Sequence, residues 1–210
     1  MRSLFLAATL LTLTACATDP GKGKVAAEVE EVPTEQVTTP AAPAGKELAV
    51  DTSKSSIKAL GAKVTAQHPI IWHSWNGSVT VDGNTLTGVS FSADMASLEA
   101  DHEDLTAHLK NEDFFEVEKF PKATFKSASI TEGSDAEGDW THTVAGDFTI
   151  RGVTKRLTFP AKISVTDGEV TANTEFVMNR KDFGITYPGM PDNLIKDNVK
   201  MTISFVAPRA

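Results

Sequence analysis

The chain has 210 residues, with 28 Asp and Glu against 20 Lys and Arg, and a formal net charge of −8. This length allows one domain with a substantial core and leaves no room for two ordinary domains with linkers. Because no block of basic residues alternates with aromatic residues, the sequence predicts no nucleic-acid partner.

The first sixteen residues, MRSLFLAATLLTLTAC, predict an export signal. Arg2 supplies the cationic start, and the apolar run over residues 4–13 is too short to span a membrane. Residues 13–16 resemble the bacterial lipobox. This resemblance implies that residues 1–15 form a signal peptide and that Cys16 carries lipid in the mature chain. An ordinary secretory peptide with an incidental cysteine at its end is the alternative.

Cys16 is the only cysteine in the chain, so the sequence excludes a disulfide framework. Its position at the cleavage point favours lipidation and a membrane anchor. Ala17 follows it, where an aspartate would resemble the signal for retention in the inner membrane. We therefore expect the protein to be anchored in the outer membrane of a bacterium, facing the periplasm.

Residues 16–47 are rich in Ala, Pro, Thr, Val and Glu and contain no aromatic residue. Such a segment buries too little apolar surface to offset the entropy of ordering. The sequence predicts that it is a disordered tether, which holds a folded domain of residues 48–210 away from the membrane.

Apolar residues alternate with polar residues through most of this domain, which predicts β-strands that bury one face. The clearest strands cover residues 140–150, 157–165, 170–178 and 199–207. Less regular patterns predict further strands over residues 60–66, 75–81, 89–95 and 123–125. Short connections between them, such as Asp167-Gly168, favour an antiparallel arrangement of about eight strands.

One helix is predicted over residues 101–110, because Leu98, Leu105 and Leu109 recur at helical spacing and Asp101 can cap its start. A second short helical turn is predicted over residues 192–196. Eight strands with one apolar face form either a sandwich or a barrel. A barrel is favoured because closure removes the sheet edges, and its interior holds either a small ligand or its own side chains.

Three blocks of sequence resemble the YceI-like family of lipid- or polyisoprenoid-binding proteins. They are residues 105–125, which include HLKNEDFFEVEKFPKATF, residues 146–155 (GDFTIRGVTK) and residues 179–185 (NRKDFGI). The resemblance implies an all-β, eight-stranded, antiparallel, lipocalin-like barrel with an apolar tunnel. This chain departs from the family pattern at residues 67–77, QHPIIWHSWNG, so the resemblance does not define the shape of one end of the tunnel or the length of the ligand.

Alternation alone favours a core role for the inward-facing apolar residues, whereas the resemblance implies that a set of them contacts ligand. Arg180 is a candidate donor to a polar head group, because guanidinium binds phosphate or carboxylate with two parallel hydrogen bonds; a solvated rim is the alternative. Tyr187 offers a neutral hydrogen bond. The predicted ligand-binding residues are Phe114, Phe115, Phe125, Phe148, Ile150, Phe159, Phe176, Met178, Arg180, Phe183, Tyr187 and Met190.

The segment NEDFFEVEKFPKATF, residues 111–125, is expected to run as a loop and extended segment across one end of the barrel. In an extended backbone the adjacent rings of Phe114 and Phe115 point to opposite sides. We therefore expect one ring to face the cavity and the other to pack under the helix, while Phe120 and Phe125 hold the segment against the barrel.

None of the five histidines has the spacing of a metal motif, and His68 and His73 alone would make an incomplete zinc site. No nucleophile motif or phosphate loop is present. The sequence therefore predicts no enzyme, no metal and no cofactor. It predicts the binding, sequestration or transport of a long-chain amphiphile such as an isoprenoid quinone, a polyprenyl compound or a fatty acyl lipid. The alternatives are an envelope interaction module with a filled barrel and an enzyme of isoprenoid metabolism. The sequence leaves open whether the protein forms a homodimer.

Overall fold

The computed structural model describes residues 18–32, 43–134 and 139–209. The predicted signal peptide and Cys16 lie outside these residues, so the lipobox and the lipid anchor stay predictions. Among the described residues, no helix has both the length and the apolar character needed to cross a membrane.

Most of the described chain is β-strand. The strands are β1 (Glu28–Glu31), β2 (Lys46–Ala49), β3 (Ser56–Ala62), β4 (Gln67–Trp72), β5 (Trp75–Asp82), β6 (Thr85–Asp94), β7 (Leu98–Ala100), β8 (Lys122–Glu132), β9 (His142–Ile150), β10 (Val153–Val165), β11 (Glu169–Asn179), β12 (Gly189–Met190), β13 (Asn193–Leu194) and β14 (Asn198–Pro208). The helix α1 spans Glu103–Lys110, and short 3-10 helices span Met95–Ser97 and Arg180–Phe183.

Twelve of these strands form one antiparallel sheet that curls into a half-barrel, with the order β2-β5-β6-β8-β9-β10-β11-β14-β3-β4-β7 and β1 attached to β10. The predicted all-β, barrel-like fold is confirmed. The predicted count of eight is wrong, because the sheet also contains β4, which was not predicted, and three short strands of three or four residues, β1, β2 and β7.

The described parts of the predicted disordered tether, residues 18–32 and 43–47, include β-strand. β1 pairs with residues 155–158 of β10, and β2 pairs with β5. The reason lies in β10, which pairs with β11 only through residues 162–165 and so leaves its first half open on that side. An unpaired strand edge is a template for another strand, and β1 covers it. Composition does not reveal such long-range pairing.

Two predicted helical features also differ. Helix α1 begins at Glu103, and Asp101 does not cap it, because the Asp101 carboxylate is hydrogen-bonded to His68 instead. Leu98 belongs to strand β7 rather than to the helical face. Residues 192–196 form no helical turn, since β12 and β13 make a small hairpin there.

Six aromatic rings fill one part of the sheet interior, and we call them the aromatic cluster. Phe159 and Phe176 stack with ring centroids 4.3 Å apart, and Phe91 and Phe125 stack at 5.8 Å. Trp75 stacks on Phe205 at 5.2 Å. Because these inward positions carry large rings on facing strands, only about 40 Å³ of free volume is left beside them.

Candidate functional site

A second part of the interior is open. The described residues enclose a cavity of about 530 Å³ between the inner face of the sheet and helix α1. Its wall includes residues of β3, β4, β6, β8, β9, β11 and β14. Exposed His102 and Asp104 also line it, so the cavity reaches the surface beside α1. This volume lies in the range of about 300 to 1,000 Å³ that is typical of small-molecule sites.

The cavity wall is mainly apolar. Ile57, Ile70, Phe148, Ile150 and Met178 all line it, and each is buried. These side chains occupy the inward-facing positions that alternate along each strand, and they offer no hydrogen bonds. The wall therefore suits a hydrocarbon chain better than a polar molecule.

Small side chains create the free volume. Ala59, Gly61, Ala62, Ala93 and Ala123 all line the cavity, whereas large rings line the aromatic cluster. A Cβ atom added to Gly61 would meet no heavy atom within 4 Å. The cavity is open because these positions carry at most one methyl group.

Residues 111–120, which we call the cap segment, close one side of the cavity. The Phe115 amide donates to the Leu109 carbonyl at 3.1 Å, and the Glu116 amide donates to the Asn111 carbonyl at 2.8 Å. Glu116 has a φ of 46°. The prediction of an extended backbone is wrong, because these hydrogen bonds fold the segment into successive turns. Phe114 and Phe115 both line the cavity instead of pointing to opposite sides.

The turn between β9 and β10 holds the cap segment in place. Nη2 of Arg151 donates to the Glu112 carbonyl at 2.9 Å, and Nη1 donates to the Gly184 carbonyl. The Phe120 ring lies over Gly152, where a Cβ atom would sit only 2.5 Å from Phe120 Cε1. One arginine and one ring therefore fasten the cap segment to the sheet.

Phe114 is the more deeply packed of the two adjacent rings. It makes edge-on contacts with the rings of His108 at 5.0 Å and Tyr187 at 5.4 Å. It is 6% exposed, whereas Phe115 is half-buried. Tyr187 contacts the Phe114 ring but is not among the residues that line the cavity. Loss of Phe114 would therefore disturb packing as well as the cavity surface.

Arg180 is the buried charge of the cavity wall, only 4% exposed. Its Nη1 donates to the Ile185 carbonyl at 2.6 Å, its Nε to the Lys196 carbonyl at 3.1 Å, and its Nη2 to Asp197 Oδ1 at 3.2 Å. Burial lowers the pKa of Arg180, and the Asp197 carboxylate opposes this. The solvated-rim alternative is wrong for Arg180. A guanidinium has five N–H donors, so these three bonds leave some of them available for another acceptor.

Two further nitrogens of the wall lack a partner. Nε2 of His68 and Nε1 of Trp72 are buried without a hydrogen bond, and both residues line the cavity. Buried polar groups of proteins are nearly always paired, so each unpaired group requires an explanation. A polar atom of a bound molecule would supply the missing partner.

The other predicted ligand-binding residues lie away from this cavity. Phe125 and Phe159 border the small free volume of the aromatic cluster, and Phe176 packs against Phe159. Phe183 is fully buried and contacts Phe148 at 5.5 Å. Met190 is 64% exposed on β12. The cavity thus brings together Phe114, Phe115, Phe148, Ile150, Met178 and Arg180.

Sequence analysis missed the contribution of β3 and β4. The predicted strand over residues 60–66 is displaced, since β3 spans Ser56–Ala62 and buries Ile57 and Ala59. His68, Ile70 and Trp72 alternate along β4 and line the cavity. That alternation in QHPIIW is the signal that would have identified them.

A curled antiparallel sheet around an apolar internal cavity defines a class of all-β, barrel-like proteins with an open interior. Within this class, the chain belongs to the YceI-like domain family, which it matches over residues 48–207.

Among curated relatives, a UPF0312 protein of Pseudomonas putida strain F1 is 36% identical over 123 residues, which cover 55% of this chain and 62% of the relative. A UPF0312 protein of Vibrio vulnificus strain YJ016 is 31% identical over 93 residues, or 43% of this chain and 47% of the relative. The chain therefore spans less than two thirds of the length of these relatives.

Solved structures share the fold. BcnA of Burkholderia cenocepacia has a TM-score of 0.64 at 21% identity, over 75% of this chain and 99% of that chain. A polyisoprenoid binding domain from Saccharophagus degradans has a TM-score of 0.61 at 10% identity, over 76% and 97% of the two chains. A Campylobacter jejuni YCEI protein has a TM-score of 0.58 at 19% identity, over 67% and 84%.

Proposed function

We propose that the protein binds a long-chain amphiphile in the cavity between the sheet and helix α1. The observation that carries this proposal is the apolar cavity of about 530 Å³, which reaches the surface beside α1. The ligand classes are an isoprenoid quinone, a polyprenyl compound or a fatty acyl lipid. The structural neighbour from S. degradans is a polyisoprenoid binding domain, which is consistent with this choice.

The apolar tail of the ligand supplies most of the affinity in this proposal. Burial of one methylene group contributes about 0.8 kcal/mol, so a few isoprene units exceed the contribution of ordinary polar contacts. The polar group of the ligand is oriented by the few polar atoms of the wall, Arg180, His68 Nε2 and Trp72 Nε1. No bond is made or broken.

The proposal includes sequestration or transport in the bacterial cell envelope, with the protein anchored through Cys16. Replacing Cys16 by Ser should abolish labelling with radioactive palmitate and release the protein from the membrane fraction. Labelling that survives the replacement would contradict the lipobox interpretation. The cavity does not depend on this outcome, since its lining residues start at Ile57.

Lipid extraction tests the binding proposal. The Cys16→Ser variant is purified without detergent, and its organic extract is analysed by mass spectrometry, with one class of long-chain molecule expected. Gly61→Leu in the same background should remove most of that lipid, because Gly61 lines the cavity and a Cβ atom there meets no heavy atom within 4 Å, which leaves room for a larger side chain to occupy the ligand space. Gly133→Leu is the matched control, since Gly133 is exposed, also has free space around it, and does not line the cavity.

Equal amounts of lipid in the two leucine variants would mean that the lipid binds elsewhere. Reproducible absence of lipid from the parent protein would favour the second candidate, an envelope interaction module. The aromatic cluster, which fills part of the interior with side chains, is the observation that keeps that candidate open.

A further inference from the structure

Three side chains at the cavity surface converge on one point. His68, Asp101 and His102 each offer a ligand atom, and these atoms all lie within 4.8 Å of one another. His68 comes from β4, whereas Asp101 and His102 follow β7. Ile70 pairs with Ala100 in an antiparallel ladder. If this register continues by two residues, position 68 lies opposite position 102. The sheet itself therefore fixes the convergence.

The geometry points to a site for a divalent transition-metal ion of the zinc type. His68 Nδ1 lies 2.9 Å from Asp101 Oδ1 and 3.1 Å from Asp101 Oδ2, and His102 Nε2 lies 3.8 Å from the same Oδ2. Zinc binds histidine nitrogen and carboxylate oxygen at about 2.0–2.2 Å in a tetrahedral arrangement, which separates two ligand atoms by about 3.3–3.6 Å. The separations of the two histidine nitrogens from Oδ2 lie on either side of this value, and the two histidine ligand atoms lie within 4.8 Å of each other, so side-chain rotations would complete the set.

Two imidazoles and one carboxylate are the ligand number of a zinc site that keeps an open position. The ion would replace the hydrogen bond between His68 and Asp101 by a bond to each of them. His68 and His102 also line the cavity, so the ion would lie in the cavity wall. The His68 side chain is 14% exposed and that of His102 is 71% exposed, so the ion would be partly shielded yet accessible from solvent.

The chain contains two internal comparisons. His73 Nε2 lies 2.9 Å from Glu99 Oε2, and His108 Nε2 lies 2.9 Å from Asp113 Oδ2. Both pairs match the distance between His68 and Asp101. In the part of the chain that the structure describes, however, the group of His68, Asp101 and His102 alone has three such ligands. A third ligand is thus the feature that separates the metal site from an ordinary histidine–carboxylate pair.

Zinc titration tests this inference on the full chain, purified without a histidine tag and treated with a chelator. Calorimetry at neutral pH should show one saturable site. His102→Ala should weaken zinc binding at least about tenfold, as expected when a metal loses a supporting group. Its thermal midpoint should equal that of the parent in the absence of metal, because His102 is mostly exposed. His73→Ala should leave zinc binding unchanged.

Cobalt(II) provides a second readout. The parent protein should give visible d–d absorption bands typical of a nitrogen- and oxygen-ligated ion, and His102→Ala and Asp101→Asn should lose them. Absence of a saturable zinc site in the parent, or equal weakening by His73→Ala, would overturn the inference. The result is independent of the proposed lipid function, since a protein that carries lipid but binds no zinc would contradict only the metal site.

Discussion

The cavity and the aromatic cluster are built from the same curled sheet. Both are lined by the inward-facing residues that alternate along its strands. In the aromatic cluster, Phe159 and Phe176 on neighbouring strands stack at 4.3 Å and occupy the space between the sheet faces. In the cavity, Ala59 and Gly61 occupy comparable inward positions and leave that space empty. Side-chain size at a few positions, rather than the fold, determines which part of the interior can accept a ligand.

The largest expected effect is on stability in the aromatic cluster. Phe159→Ala should lower the free energy of unfolding by about 3–5 kcal/mol, because it removes a buried, stacked ring. Urea denaturation measures the change. Phe115→Ala is the control in the cavity, where a half-buried ring borders free volume and its loss should cost less. Equal losses would show that the two regions are packed alike.

The converse prediction concerns binding. Phe115→Ser should weaken the binding of a long-chain ligand by about 1.5–3 kcal/mol, the usual contribution of a buried aromatic side chain. Displacement of a fluorescent fatty acid measures this affinity. Phe159→Leu is the control, because Phe159 lies outside the cavity. If the Phe115→Ser variant binds the ligand as tightly as the parent, the cap segment does not take part in ligand binding.

Two glycines on inward strand positions allow the same substitution in both regions. A Cβ atom on Gly146 would lie 2.4 Å from Phe125 Cζ and 2.7 Å from the Lys126 carbonyl oxygen. Gly146→Ala should therefore destabilise the protein by about 1–3 kcal/mol, as overpacking does. Gly61→Ala should be neutral or stabilising by about 0.5–1 kcal/mol, since alanine suits a strand better than glycine. Thermal denaturation measures the stability of both variants. A Gly146→Ala variant that is more stable than Gly61→Ala would contradict the comparison.

The smallest expected effect concerns the N-terminal segment. Glu175 on β11 contacts Lys24 at 2.6 Å and Lys200 at 2.9 Å, and these hydrogen bonds, above all that from Lys24, lower the pKa of Glu175. A lowered pKa means that its stabilising contribution is present above the ordinary value of 4.5 and is lost as the pH falls through the folded value. These pairs are partly exposed, so the contribution is about 0.2–1 kcal/mol.

Glu175→Gln should therefore reduce stability by that amount at pH 7 and flatten its decline on the acid side of pH 4.5. Denaturation curves at several pH values measure the change. Glu28→Gln is the control, because Glu28 is exposed on strand β1, lies opposite Thr158, and shows no ion pair among the described residues. An identical acid profile for both variants would show that the contacts with Lys24 and Lys200 contribute nothing to folding.

Sequence analysis predicted the all-β fold because strand alternation is a local signal, clear in β10, β11 and β14. It did not predict which interior was open, because that depends on which strands face one another. Phe159 is stacked because a second ring, Phe176, happens to lie beside it in the assembled sheet. Alternating residues on a single strand cannot show whether their neighbours are rings or methyl groups.

The same limit explains the missed polar features. His68 and Asp101 are 33 positions apart and meet through the pairing of β4 with β7. Asp101 fits the local rule for a helix cap, but its carboxylate binds His68 instead. Arg180 had a solvated rim as its alternative to head-group binding, yet it is buried in the short 3-10 helix that follows β11. Local rules fail where a distant residue offers a better partner.

The most direct test of the central claim is a chain-length series. Affinities of the protein for prenyl alcohols of increasing length are measured by displacement titration. If the tail occupies the cavity, each added methylene should strengthen binding by up to about 0.8 kcal/mol until the cavity is filled, and affinity should then level off. Gly61→Leu should bring this plateau to a shorter chain. Affinity that does not depend on chain length, or a plateau that Gly61→Leu leaves unchanged, would contradict the claim that the apolar cavity is the binding site.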